Sequence, residues 1–135
     1  MSKSKMLLVS AIAPFPVTSG GATRVFYTLK YLGAKFDIDL VACGDEAQLT
    51  SGQRAWLSRH CHDWKIVPLA KRRLGSRLPY YLSPWDSREL IGQVQAWVSA
   101  QTYDSARIEF TQVAYVRDLL PRDLYTTLVI MISTV

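Results

Sequence analysis

Continuous apolar runs and segments with helical spacing alternate along this chain. Residues 6–12 form an uncharged, mostly apolar run, which predicts a buried strand. Apolar residues then recur at helical spacing, and Gly33 stands where such a helix would end. The residues with this spacing are Val25, Phe26, Leu29 and Leu32. The first third of the chain therefore predicts a strand, a loop and a helix.

The middle of the chain repeats this order. Residues 36–43 predict a second strand that breaks at Gly44, and residues 46–61 predict a helix that Gly52 weakens. Residues 65–69 predict a short third strand ended by its proline. Residues 70–85 are basic, aromatic and proline-bearing, which predicts a long loop.

The last third begins with a helix signal. Asp86 and Glu89 predict a capping box in front of an amphipathic helix. Residues 105–110 predict a fourth strand, and Val113, Val116 and Leu120 mark a short helix. Residues 127–132 are nearly all apolar, so we expect a fifth strand that is buried on both faces.

Strict alternation of strand and helix predicts an α/β fold, a doubly wound, Rossmann-like parallel sheet of about five strands. Right-handed crossovers predict the strand order 3-2-1-4-5, with helices on both faces. In that order the first and fourth strands are neighbours, and Gly20 and Glu109 lie at the same edge of the sheet. The 135 residues have room for one domain, residues 1–135.

Composition narrows the class of protein. Hydrophobic residues make up 49% and charged residues 20%, as in ordinary globular proteins. No apolar run approaches the roughly 18 residues of a membrane span, and the N-terminal run is too short and strand-like for a signal peptide. We therefore expect a cytoplasmic protein. Cys43 and Cys61 are far apart in sequence and indicate neither a disulfide framework nor a zinc site.

A net charge of +5 favours anionic partners. Much of this charge is concentrated in one cluster, Lys71, Arg72, Arg73 and Arg77. The cluster is either a solvated loop or a patch that faces anionic lipid or a phosphorylated substrate. Nucleic acid is not expected as a partner, because a nucleic-acid surface normally has a wider basic face.

The loop between the first strand and the first helix carries the strongest functional signal. It contains Gly20 and Gly21 just before the helical pattern, where the absence of a Cβ lets backbone N–H groups approach a ligand. The positive end of the helix dipole points to the same place. The loop is neither a G-x-G-x-x-G sequence nor a Walker loop.

Three other polar residues allow two interpretations. Asp45 follows the second strand and is either a ribose ligand or a cap, and the cap is the preferred interpretation. His60 and His62 flank Cys61, but no third ligand has a useful spacing. We interpret the two histidines as a helix-terminal pair and expect no metal and no cofactor.

Several segments in order resemble one family. They are PFPVTSGGATRVFYTLKYL, FDIDLVAC, PYYLSPWDSREL and YDSARIEFTQVAYV. Together they resemble the start of the family 4, GT-B-fold, retaining glycosyltransferases. The resemblance covers essentially the whole chain but only about the first third of a full enzyme of that family.

The resemblance implies a set of binding residues. Gly20 and Gly21 would lie in the interdomain cleft beside the donor's diphosphate or the acceptor, and Arg24 would lie near that cleft. Arg24 is equally well interpreted as a solvated helix cation. Glu109, Phe110 and Gln112 follow at the carboxyl end of the fourth strand, where open α/β sheets bind ligands, although an ordinary helix start also fits them. Catalytic residues are not assigned.

The resemblance also implies what a full enzyme would contain. Its partners would be a nucleotide-sugar donor and a sugar or lipid-linked acceptor. The family's His-Asp-type motif after the fifth strand is replaced here by Met131, Ile132 and Ser133, and these 135 residues do not include the second domain that holds most donor contacts in the family. We therefore expect a truncated, acceptor-side domain that is inactive alone.

Two further expectations follow from this interpretation. A fifth strand without a covering helix favours self-association through the uncovered sheet, and the cytoplasmic protein could lie peripherally at the inner face of the membrane. The competing hypothesis is a stand-alone Rossmann-like module that binds a nucleotide or phosphorylated metabolite without catalysis.

Overall fold

The computed structural model describes residues 3–130, and within them the chain forms one parallel sheet. Five strands pair in the order β3-β2-β1-β4-β5, and every neighbouring pair is parallel. The strands are β1 (Ser4–Ser10), β2 (Phe36–Cys43), β3 (Asp63–Val67), β4 (Ser105–Glu109) and β5 (Thr126–Val129). The predicted strand order and the α/β class are confirmed.

Three α-helices connect the strands: α1 (Gly20–Leu32), α2 (Ser51–His60) and α3 (Arg88–Ala100). Three 3-10 helices, Glu46–Gln48, Tyr80–Trp85 and Thr111–Leu119, complete the connections. No helix among the described residues has both the length and the apolar character that a membrane crossing requires.

The core lies on both faces of the central strands. Residues 7–9 of β1 and residues 40–42 of β2 are fully buried, because neighbouring strands flank both of them and helices cover them. Val25 and Leu29 of α1 and Leu90 and Val94 of α3 pack into the same core. Their spacing of four residues on each helix is the pattern that predicted these helices.

Gly33 ends α1 as expected, donating its backbone N–H to the carbonyl of Leu29. A Cβ at this position would collide with the backbone oxygens of Leu29 and His60. Glycine is therefore required here by close approach of two chain segments.

Four sequence predictions need correction. The helix expected over residues 46–61 is divided, since Asp45 caps a 3-10 helix and Thr50 starts α2 with a capping box. The predicted loop 70–85 contains the 3-10 helix Tyr80–Trp85. The cap of α3 is Ser87 and not Asp86, because the Ser87 hydroxyl accepts the Leu90 N–H.

The fourth correction concerns β5, which was expected to be buried on both faces. It lies at the edge of the sheet, where Leu128 is 44% and Ile130 is 55% exposed. An edge strand has a neighbour on one side only, so an apolar sequence does not guarantee burial. Residues 131 and 132 of the predicted strand, and the Met131–Ser133 position of the family motif, lie outside the described residues.

Candidate functional site

The carboxyl ends of β1 and β4 form the candidate site. These two strands are neighbours, and the chain leaves β1 toward one side of the sheet and β4 toward the other. Such a topological switch point is where open parallel sheets bind ligands. The N-terminus of α1 lies at the same edge, because α1 follows β1 through residues 11–19.

A fully buried carboxylate is the centre of the site. Glu109, the last residue of β4, has no exposed surface, and it forms ion pairs with Arg24 and Arg107. The Nε of Arg24 lies 3.2 Å from one carboxylate oxygen, and the Nε of Arg107 donates to the other. Two guanidinium groups on one carboxylate leave this group of three side chains with one excess positive charge.

Both arginines contact Glu109 through Nε alone. Among residues 3–130, the terminal Nη groups of Arg24 and Arg107 have no hydrogen-bond partner. The side chain of Arg24 is 38% exposed and that of Arg107 is 23% exposed. Their outer N–H groups are therefore available to an anion, and a guanidinium binds carboxylate or phosphate in a two-pronged manner.

The start of α1 adds backbone donors. The Ser19 hydroxyl caps the helix by accepting the Ala22 N–H, and the Ser19 carbonyl accepts the Thr23 N–H. Within the described residues, the N–H groups of Gly20 and Gly21 have no partner. These are the unpaired donors of a helix's first turn, at its positive end.

The two glycines differ in their surroundings. A Cβ on Gly20 would meet nothing within 4 Å, so its backbone faces open space. A Cβ on Gly21 would collide with the Ile12 side chain and would lie 3.5 Å from the Phe110 ring. Gly20 is thus open to a ligand, whereas Gly21 lets the helix start pack closely against Ile12 and Phe110.

Phe110 adopts an unusual backbone conformation. Its φ is 80°, a backbone conformation that residues other than glycine rarely adopt. Its ring is buried, and its N–H donates to the Val129 carbonyl over 2.7 Å. Such strain costs about 1–3 kcal/mol and is concentrated at functional sites, and here it occurs next to Glu109.

The loop after β1 is held in place from three directions. The Ala11 N–H donates to the Glu109 carbonyl and the Ala13 N–H donates to the Cys43 carbonyl. The indole N–H of Trp85 donates to the Ala11 carbonyl over 2.9 Å. The loop therefore presents the start of α1 from a fixed framework.

The structure brings most of the six predicted site residues together. Arg24 contacts Glu109 directly, and Gly21 lies beside Phe110, so four of them come together. Gly20 precedes Gly21 at the same helix start. Gln112 lies half-buried in the 3-10 helix after β4, and its side chain forms no hydrogen bond among the described residues.

Sequence reasoning missed Arg107. The sequence did contain a pattern that points to Arg107. It stands two residues before Glu109, and residues two apart on a strand lie on the same face of the sheet. The sequence could not show that Arg24, 85 residues away from Glu109 along the chain, would bind the same carboxylate.

A cleft of about 360 Å³ lies at the same edge, between the end of β3 and the start of α3. Lys71, Arg73 and Arg88 are among the residues that line it, together with Asp86 and Glu89. Asp86 is buried and binds Arg73, Arg77 and Ser76. Burial opposes its ionisation, but these hydrogen bonds and cations lower its pKa below the usual value.

Another cavity, of about 390 Å³, lies at the opposite edge near the amino ends of β4 and β5. Its wall includes Gln101 and Tyr103, which both donate to the buried Asp39. His62 also pairs with Asp39, and this hydrogen bond raises the pKa of His62. These polar groups form hydrogen bonds with one another. The carboxyl edge, where two arginines have free outer N–H groups among the described residues, is therefore the better candidate site.

The remaining titratable candidates are structural. His60 stacks on Trp56 and its Nδ1 lies 2.8 Å from the Trp56 carbonyl oxygen. Burial raises the pKa of both Cys43 and Cys61 to about 12, so neither thiol is activated. Among residues 3–130 no three His, Cys, Asp or Glu side chains are grouped as metal ligands.

No protein-family model matches the chain, and no curated protein is significantly similar to it. Two crystal structures of the C-terminal domain of the PF1911 hydrogenase from Pyrococcus furiosus are similar in fold. One is 14% identical with a TM-score of 0.59, and the alignment covers 95% of this chain and 93% of that domain. The other is 10% identical with a TM-score of 0.57, covering 95% and 92%. At these identities the likeness shows the fold alone: an α/β, Rossmann-like domain.

Proposed function

We propose that the chain forms the N-terminal, acceptor-side part of a glycosyltransferase that moves a sugar from a nucleotide-sugar donor to an acceptor. The observation that carries the proposal is the buried Glu109 with its two arginines at the switch point between β1 and β4. The resemblance of the glycine loop and of the β4 segment to family 4 glycosyltransferases supplies the reaction class.

The charges at this edge suit a diphosphate. Arg24 and Arg107 carry two positive charges against the single negative charge of Glu109, and their outer N–H groups are free among the described residues. Phosphate oxygens accept hydrogen bonds from guanidinium groups and from the N-terminus of a helix. A diphosphate could therefore bind Arg24 and the Gly20 N–H together.

Glu109 acts as a positioning residue in this proposal. It holds the Nε of each arginine, so the side chains need not lose further rotamer freedom when a ligand binds. By the resemblance, most donor contacts come from a second domain. We therefore expect diphosphate binding, and not sugar transfer, from this chain by itself.

The competing proposal is a stand-alone Rossmann-like module that binds a nucleotide or phosphorylated metabolite without catalysis. The same cationic edge supports it, since phosphate recognition requires no second domain. The two proposals differ in affinity. A complete binding module should bind its nucleotide with a Kd of about 1 μM, whereas half of a cleft should bind with a Kd nearer 1 mM, a difference of about 4 kcal/mol.

We further propose the partners that this function requires. They are a nucleotide-sugar donor, a sugar or lipid-linked acceptor, and a second copy of the chain at the β5 edge. The exposed Leu128 and Ile130 support the contact between copies. We also propose a cytoplasmic location in peripheral contact with the inner face of the membrane.

Calorimetric titration tests the site. UDP, GDP, ADP and pyrophosphate are titrated into the wild-type chain and into Arg24→Ala, Arg24→Lys and Arg59→Ala variants. Arg24→Ala should weaken binding about tenfold, since one charge-assisted hydrogen bond contributes about 1.5 kcal/mol. The affinity of Arg24→Lys should lie between those of the wild type and Arg24→Ala. Lysine keeps the positive charge but cannot form the two parallel hydrogen bonds of a guanidinium group.

Arg59 is the matched control. It is an exposed cation in the last turn of α2, at the opposite edge of the sheet, so its removal changes net charge equally. Equal affinities of the wild type, Arg24→Ala and Arg59→Ala would contradict the proposed site. Pyrophosphate binding without any gain from a nucleoside would favour a simple phosphate site over both proposals.

A further inference from the structure

We propose that residues 68–82, called here the basic loop, form a docking surface for an anionic lipid bilayer. The basic loop contains four cations, Lys71, Arg72, Arg73 and Arg77, and no acidic residue. The inference rests on the membrane contact proposed above and names the surface that makes it. The basic loop follows β3 at the carboxyl edge but shares no residue with the Glu109 site, so the inference does not depend on the proposed transfer reaction.

Large apolar side chains are exposed within the basic loop. Leu74 is 85% exposed, Tyr81 is 63%, Tyr80 is 53% and Leu69 is 45%. Leu74 precedes Gly75, whose φ of +80° makes a tight turn and leaves Leu74 at its tip. Single exposed apolar residues are ordinary, but four of them interleaved with cations mark an interaction surface.

The fold holds the basic loop in a fixed shape. The N–H of Ala70 donates to the Pro84 carbonyl, and the N–H of Arg73 donates to the Ser83 hydroxyl. Asp86 binds Arg73 over 3.0 Å and Arg77 over 3.2 Å. These contacts tie the start and the middle of the loop to the buried residues 83, 84 and 86 that follow it, so the exposed Leu74 is presented and does not collapse onto the core.

The same contacts divide the four cations into two kinds. Arg73 and Arg77 share the negative charge of Asp86, so they serve mainly to hold the loop. Lys71 and Arg72 are exposed and form no ion pair among the described residues. Lys71 and Arg72 are therefore the charges free to meet phosphate headgroups.

An anionic bilayer matches both parts of this surface. Free lysine and arginine side chains are attracted to anionic headgroups, and each contributes about a fivefold increase in binding. Leucine can enter the acyl region, while tyrosine prefers the headgroup level, where its ring is buried and its hydroxyl stays wet. A nucleic acid would use the cations and the tyrosine rings but would gain nothing from an exposed Leu74.

Vesicle co-sedimentation tests the proposal with the full chain. Vesicles of phosphatidylcholine alone are compared with vesicles that contain phosphatidylglycerol as well. The variants are Leu74→Asp and the double variant Lys71→Ala/Arg72→Ala. The control is Lys35→Ala/Arg59→Ala, which removes two exposed cations from the opposite edge of the sheet. Melting curves verify that every variant folds.

The wild type should bind the anionic vesicles, weaken as salt rises, and bind neutral vesicles poorly. Lys71→Ala/Arg72→Ala should lower the partition coefficient about 25-fold, the product of two cations at about fivefold each. Leu74→Asp should lower it at least as much, and the control pair should change it little.

Three results would overturn the proposal. The first is a wild type that does not bind anionic vesicles. The second is a control pair that weakens binding as strongly as Lys71→Ala/Arg72→Ala. The third is a Leu74→Asp variant that still binds like the wild type, together with oligonucleotide binding that depends on Lys71 and Arg72, because that result would identify a nucleic-acid surface.

Discussion

At the scale of single residues, Glu109 links the stability of the fold to its proposed chemistry. A fully buried carboxylate would be costly alone, and two arginines from different elements compensate it. Because each arginine keeps Glu109 paired when the other is removed, the site can lose one of them and stay folded. The strained Phe110 next to Glu109 is further evidence that this edge is specialised.

The paired arginines predict non-additive stabilities. Arg24→Ala and Arg107→Ala should each cost about 1 kcal/mol of unfolding free energy, since both groups are partly exposed. The double variant should cost about 3–5 kcal/mol, because the buried carboxylate is then unpaired. Urea unfolding of the four proteins measures this cycle. If the double variant loses only the sum of the two single losses of unfolding free energy, the folded state does not require that one arginine stay paired with Glu109.

His62 predicts a pH dependence of stability. Its hydrogen bond to Asp39, with the nearby charges of Asp39, Asp37 and Asp63, raises the pKa of His62 above its ordinary value of 6.5. The protonated ring is thus favoured in the folded state. Its contribution is fully present below about pH 6.5 and is lost as the pH rises through the higher folded pKa. The stability of the wild type should therefore fall over that range.

The His62→Ala variant provides the comparison. Chemical unfolding from pH 5 to pH 9 should give a difference between the wild type and His62→Ala that is largest at low pH and shrinks as the pH rises. A difference that grows with pH would reverse the sign of the linkage and contradict the ion pair with Asp39.

At the scale of elements, helical and strand periodicity predicted most of the structure. The limits of β2 agree with the expected residues 36–43, because apolar and acidic residues alternate at its start, its last four residues are apolar, and Gly44 follows directly. The cap of α3 was misplaced by one residue. Asp86 and Ser87 are both good caps, and only the tertiary contacts of Asp86 with Arg73 and Arg77 reserve it for another role.

The start of α1 predicts opposite effects for its two glycines. Gly20→Ala should be neutral or stabilising by up to about 1 kcal/mol, since the new Cβ meets open space and the unfolded chain loses freedom. Gly21→Val should lower the stability by about 1 kcal/mol, because its side chain would displace the terminal methyl group of Ile12. Thermal unfolding of both variants measures the contrast, and equal effects would refute the packing assigned to Gly21.

At the scale of the whole molecule, the alternation of elements predicted the topology, and the topology predicted which strand ends meet. The sequence therefore located the carboxyl edge and four residues that come together there. It could not predict that Arg107 and Arg24 share one carboxylate, since that depends on side-chain directions across 85 residues of chain. It also overestimated the burial of β5, because edge position is a property of the assembled sheet.

The exposed edge predicts a weak contact between copies of the chain. Leu128 is 44% exposed on the edge strand β5, and such strands pair readily with other chains. Leu128→Lys should reduce any concentration-dependent growth in molar mass, because a charged edge opposes strand pairing. Light scattering over a hundredfold concentration range measures this. A wild type that stays monomeric throughout would exclude the contact.

The most direct test of the central claim is an NMR titration of the isotope-labelled chain with a nucleoside diphosphate. Binding at the carboxyl edge predicts that the backbone amides of Gly20 and Gly21 and the Nε–H signals of Arg24 and Arg107 shift together, with one shared affinity. Signals at the opposite edge, such as those of Gln101 and Tyr103, should stay in place. Saturating shifts confined to that opposite edge, with Gly20 and Arg24 unchanged, would contradict the account.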